Sequence, residues 1–328
     1  MNRIRFRAWE RGSDPQVEVR SLSANRSFRA EPLALARSVL AGRIAESVPS
    51  GQHDLAAYEA WDANGWSDAL PFYLATLDQH YHDTTPDYRA VHARVLDRYS
   101  RAHPIPTEEV PVDLSWTTLA RPVPPRATRA DILRRRRTTL VPERTELRLT
   151  DLSAVLWEAT RKLAAFRSPE IAADSGNAMT NFGPSLDVYL VVYEVSGIAS
   201  GLYRYDVNAH AMGLLKEGDF RSIMRTVIVG QPATATAAAS VVYVSDVKRH
   251  QWRYRHARAL RGLWIDTAKV ANELLWSLAA RYIVPHMTPA IDDVVANEFL
   301  GLGAGLEHEV VHAISFSGPS AEPTHDRG

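Results

Sequence analysis

The chain of 328 residues contains no cysteine. That excludes a disulfide framework, thiolate-bound zinc, an iron–sulfur cluster and a thiol nucleophile. Lysine is nearly absent as well. Lys+Arg is 38, and only Lys162, Lys216, Lys248 and Lys269 are lysines, which leaves 34 arginines. An arginine binds phosphate or carboxylate with a rigid fork but does not shuttle protons. Excess charge is missing too, since Asp+Glu is also 38. A balanced chain lacks the basic surplus of a nucleic-acid-binding protein. No run of 18 apolar residues occurs, and Met1–Arg7 alternates charged with apolar residues, so neither a membrane span nor a targeting segment is expected, and the expected location is the cytoplasm. What remains is a 45% hydrophobic chain, apolar enough to pack a core of one large or two ordinary domains.

Residues 3–9 and 16–22 alternate and flank Gly12-Ser13-Asp14-Pro15, the pattern of a β-hairpin. Helix is expected at 32–46, after Glu31-Pro32, and in 66–100 with a break near Pro86. Six prolines (104, 106, 111, 122, 124, 125) then crowd the segment 103–125, which reads as a semi-rigid linker. This places a boundary near 125, between an N-terminal α/β extension (1–125) and a second domain (126–328). In the second domain, helices are expected at 127–137, 150–165, 218–228, 255–282 and 290–299. Strands are expected at 186–195, 201–206, 210–215, 239–245 and 310–316. The segment 168–185 reads as a loop. Incomplete strand–helix alternation argues against a doubly wound sheet and for an α+β fold, with a mixed sheet crossed by a long central helix.

Several short signals carry little weight. His80-Tyr81-His82-Asp83 places its two histidines on different helix faces, and no third ligand is identifiable, so no metal is expected. Gly301-Leu302-Gly303-Ala304-Gly305 has neither the preceding strand nor the following helix of a dinucleotide loop and reads as a helix C-cap. The run Arg134-Arg135-Arg136-Arg137 is either a solvated helix end that complements the helix dipole or an anion site. Asn181 is either a turn residue or an amide that offers both donor and acceptor.

The segment Leu186-Asp187-Val188-Tyr189-Leu190-Val191-Val192, followed by Gly201-Leu202-Tyr203-Arg204-Tyr205-Asp206 and by Gly218-Asp219, resembles the flavin-dependent nitroreductase superfamily. It is most similar to the SagB-type branch, which oxidises azoline rings in ribosomally made peptides. The similarity spans roughly 131–318. It implies a nitroreductase-like α+β fold, a homodimer with FMN at its interface, and hydride chemistry at the flavin. Arg136-Arg137-Thr138-Thr139-Leu140 is similar to the family's phosphate motif, which assigns Arg136 and Thr138 to the FMN phosphate, with Leu140 in place of the last cation. Asn177–Pro184 is similar to the loop that reads the pyrimidine edge, which assigns Asn181. Where the azoline dehydrogenases have Lys-Tyr, this chain has Arg253-Tyr254, the implied catalytic pair. His250 and His256 are further acid–base candidates. Arg258 and Arg261 match an Arg-x-x-Arg that precedes the long helix and are assigned to the cofactor. Lys269, Asn272-Glu273 and Arg281-Tyr282-Ile283 depart from the family pattern.

The resemblance implies an FMN-dependent oxidoreductase acting on a peptide or amino-acid-derived substrate in natural-product biosynthesis, with biosynthetic-complex partners. Two alternatives stay open: a catalytically lapsed scaffold or peptide-recognition partner, and an FMN enzyme of different reaction, a desaturation or a reduction.

Overall fold

The computed structural model describes the backbone of 4–10, 15–21 and 26–30, parts of 63–76, and residues 87–320 apart from 105, 107–109, 112, 126, 168–184 and 304–305. The chain divides into two compact units, 1–79 and 80–328. The expected helix at 32–46 lies outside the described residues. In the first unit, β1 (Ile4–Glu10) and β2 (Pro15–Ser21) form the expected antiparallel hairpin, and β3 (Arg26–Ala30) extends it to a three-stranded sheet.

The second unit is built on a seven-stranded sheet. Its members are β4 (Ser115–Thr118), β6 (Leu186–Val192), β8 (Gly201–Asp206), β9 (Ala211–Glu217), β10 (Ala239–Asp246), β11 (His286–Thr288) and β12 (His308–Phe316). The short strands β5 (Leu147–Arg148) and β7 (Val195–Ser196) pair in parallel beside it. The order is β11-β12-β10-β6-β8-β9-β4, with every neighbouring pair antiparallel. β4 lies within the Pro-rich stretch 103–125, which therefore belongs to the second unit. No proline falls inside its four residues, so the backbone can donate to a ladder at the sheet edge. Trp116 sits opposite Gly213 of β9. A Cβ on Gly213 would come within 3.0 Å of the indole, so the glycine makes room for it.

The helices of this unit are α1 (Tyr88–Ala102), α2 (Arg129–Arg135), α3 (Leu149–Phe166), α4 (Arg221–Val227), α5 (Val247–Arg253), α6 (Ala259–Ala279) and α7 (Asp293–Leu300). They cover the sheet on both faces. Alternate residues of β10 feed two cores. Val241 and Tyr243 meet Leu152, Val155, Leu156 and Leu163 of α3 and Leu274 and Leu278 of α6. Val242 and Val244 meet Met224 and Val227 of α4 and Phe299 of α7. Each buried aliphatic side chain contributes about 1.5–3 kcal/mol, so a strand apolar on both faces anchors the unit. Leu302 and the left-handed Gly301 close α7, with Gly301 as the C-cap (φ 73°).

One expectation needs correction. The long helix does not run from 255 but begins at Ala259, and a separate helix, α5, precedes it. Asp246 sets the start of that helix. Its carboxylate accepts from the Arg249 backbone N–H at 2.8 Å and caps α5 directly at the end of β10.

Candidate functional site

Two clusters of sequence-singled residues can be followed in the structure. The first follows α2. Thr128 and Asp131 form a capping box at the start of this helix, which holds the Asp131 carboxyl down at about 2. Arg134 is committed to Asp131 (2.5 Å), and the Arg135 guanidinium stacks 3.7 Å from the centroid of the Tyr282 ring. Arg136 is the C-cap, and the chain then runs extended. Thr139 fixes this run to β11. Its N–H donates to Pro285 O at 2.9 Å, and its carbonyl accepts from His286 Nδ1 at 2.9 Å. Arg136, Arg137 and Thr138 are exposed, and their side chains form no hydrogen bond or ion pair with the described residues. Of four consecutive arginines, two are structural and two are open.

The second cluster surrounds the junction of α5 and α6. Arg253 is the last residue of α5 and Tyr254 its C-cap, with the guanidinium 5.0 Å from the tyrosine ring centroid. Burial pushes the Tyr254 hydroxyl up, against the pull of Arg253. Burial also lowers Arg253, opposed by Tyr254 and Asp266. The His250 ring lies 4.9 Å from the Tyr254 ring, and the His256 ring 6.5 Å from it. Both imidazoles are held below their ordinary value, chiefly by burial. Arg258 caps the N-terminus of α6 with its backbone, and Arg261 sits in the first turn. This end is braced by α1. Trp252 donates to His103 O at 3.2 Å, and Arg255 stacks 3.7 Å from the Tyr99 ring centroid.

The structure brings Arg253, Tyr254, Arg258 and Arg261 together at one end of α6, and places Arg136 and Thr138 at the other. A helix of 21 residues is about 30 Å long, farther than a mononucleotide extends. Within one chain the two clusters do not form one site. Asn181, His80 and His82 lie outside the described residues, and among the described residues no group of three His, Asp or Glu could hold a metal ion.

Sequence reasoning missed the hub that fixes α5. Asp187 is the second residue of β6 and is buried. It meets Arg204 of β8 at 2.8 Å and Arg249 of α5 at 2.6 Å, with Arg167, after α3, at 3.8 Å. Arg249 also pairs with Asp246 at 2.7 Å. Burial alone would raise the Asp187 carboxyl, but the guanidiniums outweigh it and hold it below the ordinary carboxylate range. The one trace it leaves in the sequence is a lone Asp in an otherwise apolar strand. The departure Arg281-Tyr282-Ile283 is also accounted for. Arg281 pairs bidentately with Glu158 of α3 (3.0 Å to each oxygen), Ile283 enters the core, and Tyr282, at φ 58°, lies under Arg135.

The architecture defines the class: the chain has an α+β fold, an antiparallel seven-stranded sheet flanked by helices. No family model matches it. It is 27% identical over 263 residues to the trifolitoxin operon protein TfxC of Rhizobium leguminosarum bv. trifolii, a match that covers 75% of this chain and 70% of the relative. Among solved structures it is similar to a nitroreductase-type protein of Anabaena variabilis (TM-score 0.47, 21% identity), covering 58% of this chain and only 37% of that one. It is also similar to one from Ralstonia eutropha (0.46, 21% identity, 66% and 95% covered). A third likeness is to a chain of the E. coli microcin synthetase McbBCD complex (0.43, 16% identity, 73% and 96% covered). Among the described residues no helix is long and apolar enough to cross a membrane.

Proposed function

We propose that the protein is an FMN-dependent oxidoreductase that works as a homodimer on a peptide or amino-acid-derived substrate, by azoline-type dehydrogenation, in natural-product biosynthesis. The observation that carries this reading is the open pair Arg136 and Arg137 beside the Thr138 hydroxyl, on a segment fixed to β11 by Thr139. Two uncommitted guanidiniums and a hydroxyl are the donor set that a phosphate monoester takes. The match to a trifolitoxin operon protein supports the biosynthetic setting and a peptide as substrate. The N-terminal unit, 1–79, would then bind the peptide or complete the dimer. Its three-stranded sheet has the edge strands with which an extended peptide pairs.

The separation of the two clusters along α6 supports two copies. Trp264, Ile265 and Trp276 remain 39%, 55% and 37% exposed on this helix. Trp264, Ala268, Asn272 and Trp276 recur every four residues and form one stripe. Two helices meeting antiparallel along that stripe would set the α2 end of one copy beside the α5 end of the other. FMN, when bound, would supply the two-electron chemistry that a chain without cysteine lacks. Arg136 and Thr138 would hold its phosphate, and Asn181 its pyrimidine edge. Arg258 and Arg261 would add positive charge at the N-terminus of α6, where a second anion-binding dipole end already points. Arg253 and Tyr254 would face the substrate. Arg253 cannot take a proton there, but it can hold a carboxylate or developing negative charge.

Tyr282 favours a second reading. It fills the turn after α6 on the same side as Arg135, and a filled turn suits a lapsed scaffold that keeps the fold without the cofactor. One titration separates the two. The purified protein is mixed with FMN and the quenching of flavin fluorescence is followed. Saturable uptake at one FMN per chain, weakened about 10-fold or more in Arg136→Gln, is the expected result. No uptake at any concentration would reject the oxidoreductase and leave the scaffold.

A further inference from the structure

Dehydrogenation of a ring needs a proton acceptor with a lone pair at working pH. Neither member of the Arg253–Tyr254 pair provides one. A guanidinium stays protonated, and burial keeps the Tyr254 proton on its oxygen. His256 is exposed, and the charge of Arg258 beside it works against a proton there.

His250 differs. It lies on α5 one turn before Tyr254 and is buried. Its Nε2 is 2.8 Å from the carbonyl oxygen of Ala259, at the start of α6. A carbonyl oxygen can only accept, so Nε2 must carry the hydrogen. In a neutral ring the lone pair is then on Nδ1. Nδ1 has no hydrogen-bond partner among the described residues. The ring is neutral because burial disfavours its charge, with Arg253 and His256 acting in the same direction and the Ala259 carbonyl and Asp266 opposing. Its position is fixed twice, by the Ala259 bond and by the anchoring of α5 through Arg249 to Asp187. A tautomer selected by a main-chain bond, beside a protonated tyrosine and a cation, is the arrangement a general base requires.

We propose that His250 is the proton-accepting residue of this site, with Nδ1 as the basic atom. The assignment rests on the dehydrogenase reading given above. A dihydro ring that becomes aromatic loses one proton and one hydride from adjacent atoms. The proton forms the N–H bond at Nδ1 as its C–H bond breaks, and the imidazolium later returns it to water. The electron pair leaves with the second hydrogen to a two-electron acceptor of the flavin class, so charge and electrons balance. Tyr254 and Arg253 then orient the ring and stabilise the charge that develops as the proton departs.

The test uses the full-length chain and two measurements. The first needs neither flavin nor substrate. In a long-range proton–nitrogen spectrum of histidine-labelled protein at pH 7.5, His250 should show a protonated Nε2 and an unprotonated Nδ1. The opposite tautomer, or an imidazolium, overturns the proposal. The second uses His250→Gln, whose amide can still donate to Ala259 O but carries no basic nitrogen. On the flavin-loaded protein, with a synthetic peptide carrying one azoline ring as probe, the single-turnover rate should fall about 100-fold while FMN affinity and melting temperature stay at wild-type values. An unchanged rate overturns the assignment alone. A wild-type protein that takes no flavin overturns the dehydrogenase reading and the assignment with it.

Discussion

An Asp187→Asn substitution removes one charge and almost no volume, and the structure says what that should cost. The carboxylate is buried between Arg204 at 2.8 Å and Arg249 at 2.6 Å, with Arg167 behind them at 3.8 Å. An amide of the same shape still accepts one hydrogen bond, but it leaves at least two guanidiniums in a low-dielectric pocket without their counter-charge. Breaking a buried pair from one side costs about 3–5 kcal/mol. In a unit of this size each kcal/mol moves the melting temperature by about 2–4 °C, so a fall of about 6–20 °C is expected. Thermal denaturation followed by circular dichroism measures it, and urea denaturation gives the matching free energy. The pH dependence supplies an internal check. The Asp187 carboxyl titrates lower when folded than when unfolded. Its stabilisation is therefore complete above the ordinary carboxylate value, about 3.9, and is lost as pH falls through the lower folded value. The gap between wild type and variant should narrow in acid. A melting temperature within about 2 °C of wild type at neutral pH would refute the view that this carboxylate holds the three arginines.

Other expectations are independent of that one. His210 is buried with a depressed value, chiefly from burial, and bonds Tyr205 through Nδ1 (2.7 Å) and Ser153 through Nε2 (3.0 Å). Its contribution is present above about pH 6.5 and lost as pH falls below it, so His210→Asn should flatten the stability–pH slope there by up to about 1.4 kcal/mol per pH unit, read from denaturation at several pH values. An asparagine is chosen because His210 sits at φ 51°, which Asn tolerates. Arg136→Gln and Thr138→Val should each weaken FMN binding by about 10-fold or more while leaving riboflavin binding unchanged, because only FMN carries the phosphate; isothermal titration compares the two. Ile265→Glu with Trp276→Glu should convert dimer to monomer in sedimentation velocity without loss of helix content, and unaltered dimers would place the interface elsewhere.

Much of the second unit was legible because its signals are local. β10 is an eight-residue run that is apolar on both faces, and α3 repeats Leu152, Val155, Leu156, Ala159 and Leu163 at helical spacing. The fold class followed from those elements. β4 was not legible, since four residues among prolines become a strand only when β9 offers a partner almost a hundred positions away. The boundary between α5 and α6 was hidden for a similar reason. Asp246 is a cap only where β10 ends, and the charged stretch 253–258 has no local breaker. For the site, Arg136 and Thr138 could be named from a motif, but their separation from Tyr254 by the length of α6 could not. The role of Asp187 was beyond reach because its partners come from the end of α3, from β8 and from α5.

The length of α6 has a thermodynamic consequence. If one helix keeps the two halves of the flavin site apart and a second copy reunites them, cofactor binding and self-association are one linked equilibrium. Each must strengthen the other by the same factor. Dilution would then strip the flavin without any change in its contacts, and flavin starvation would loosen the pair. The long helix would act as a gauge that makes redox capacity depend on protein concentration as well as cofactor supply.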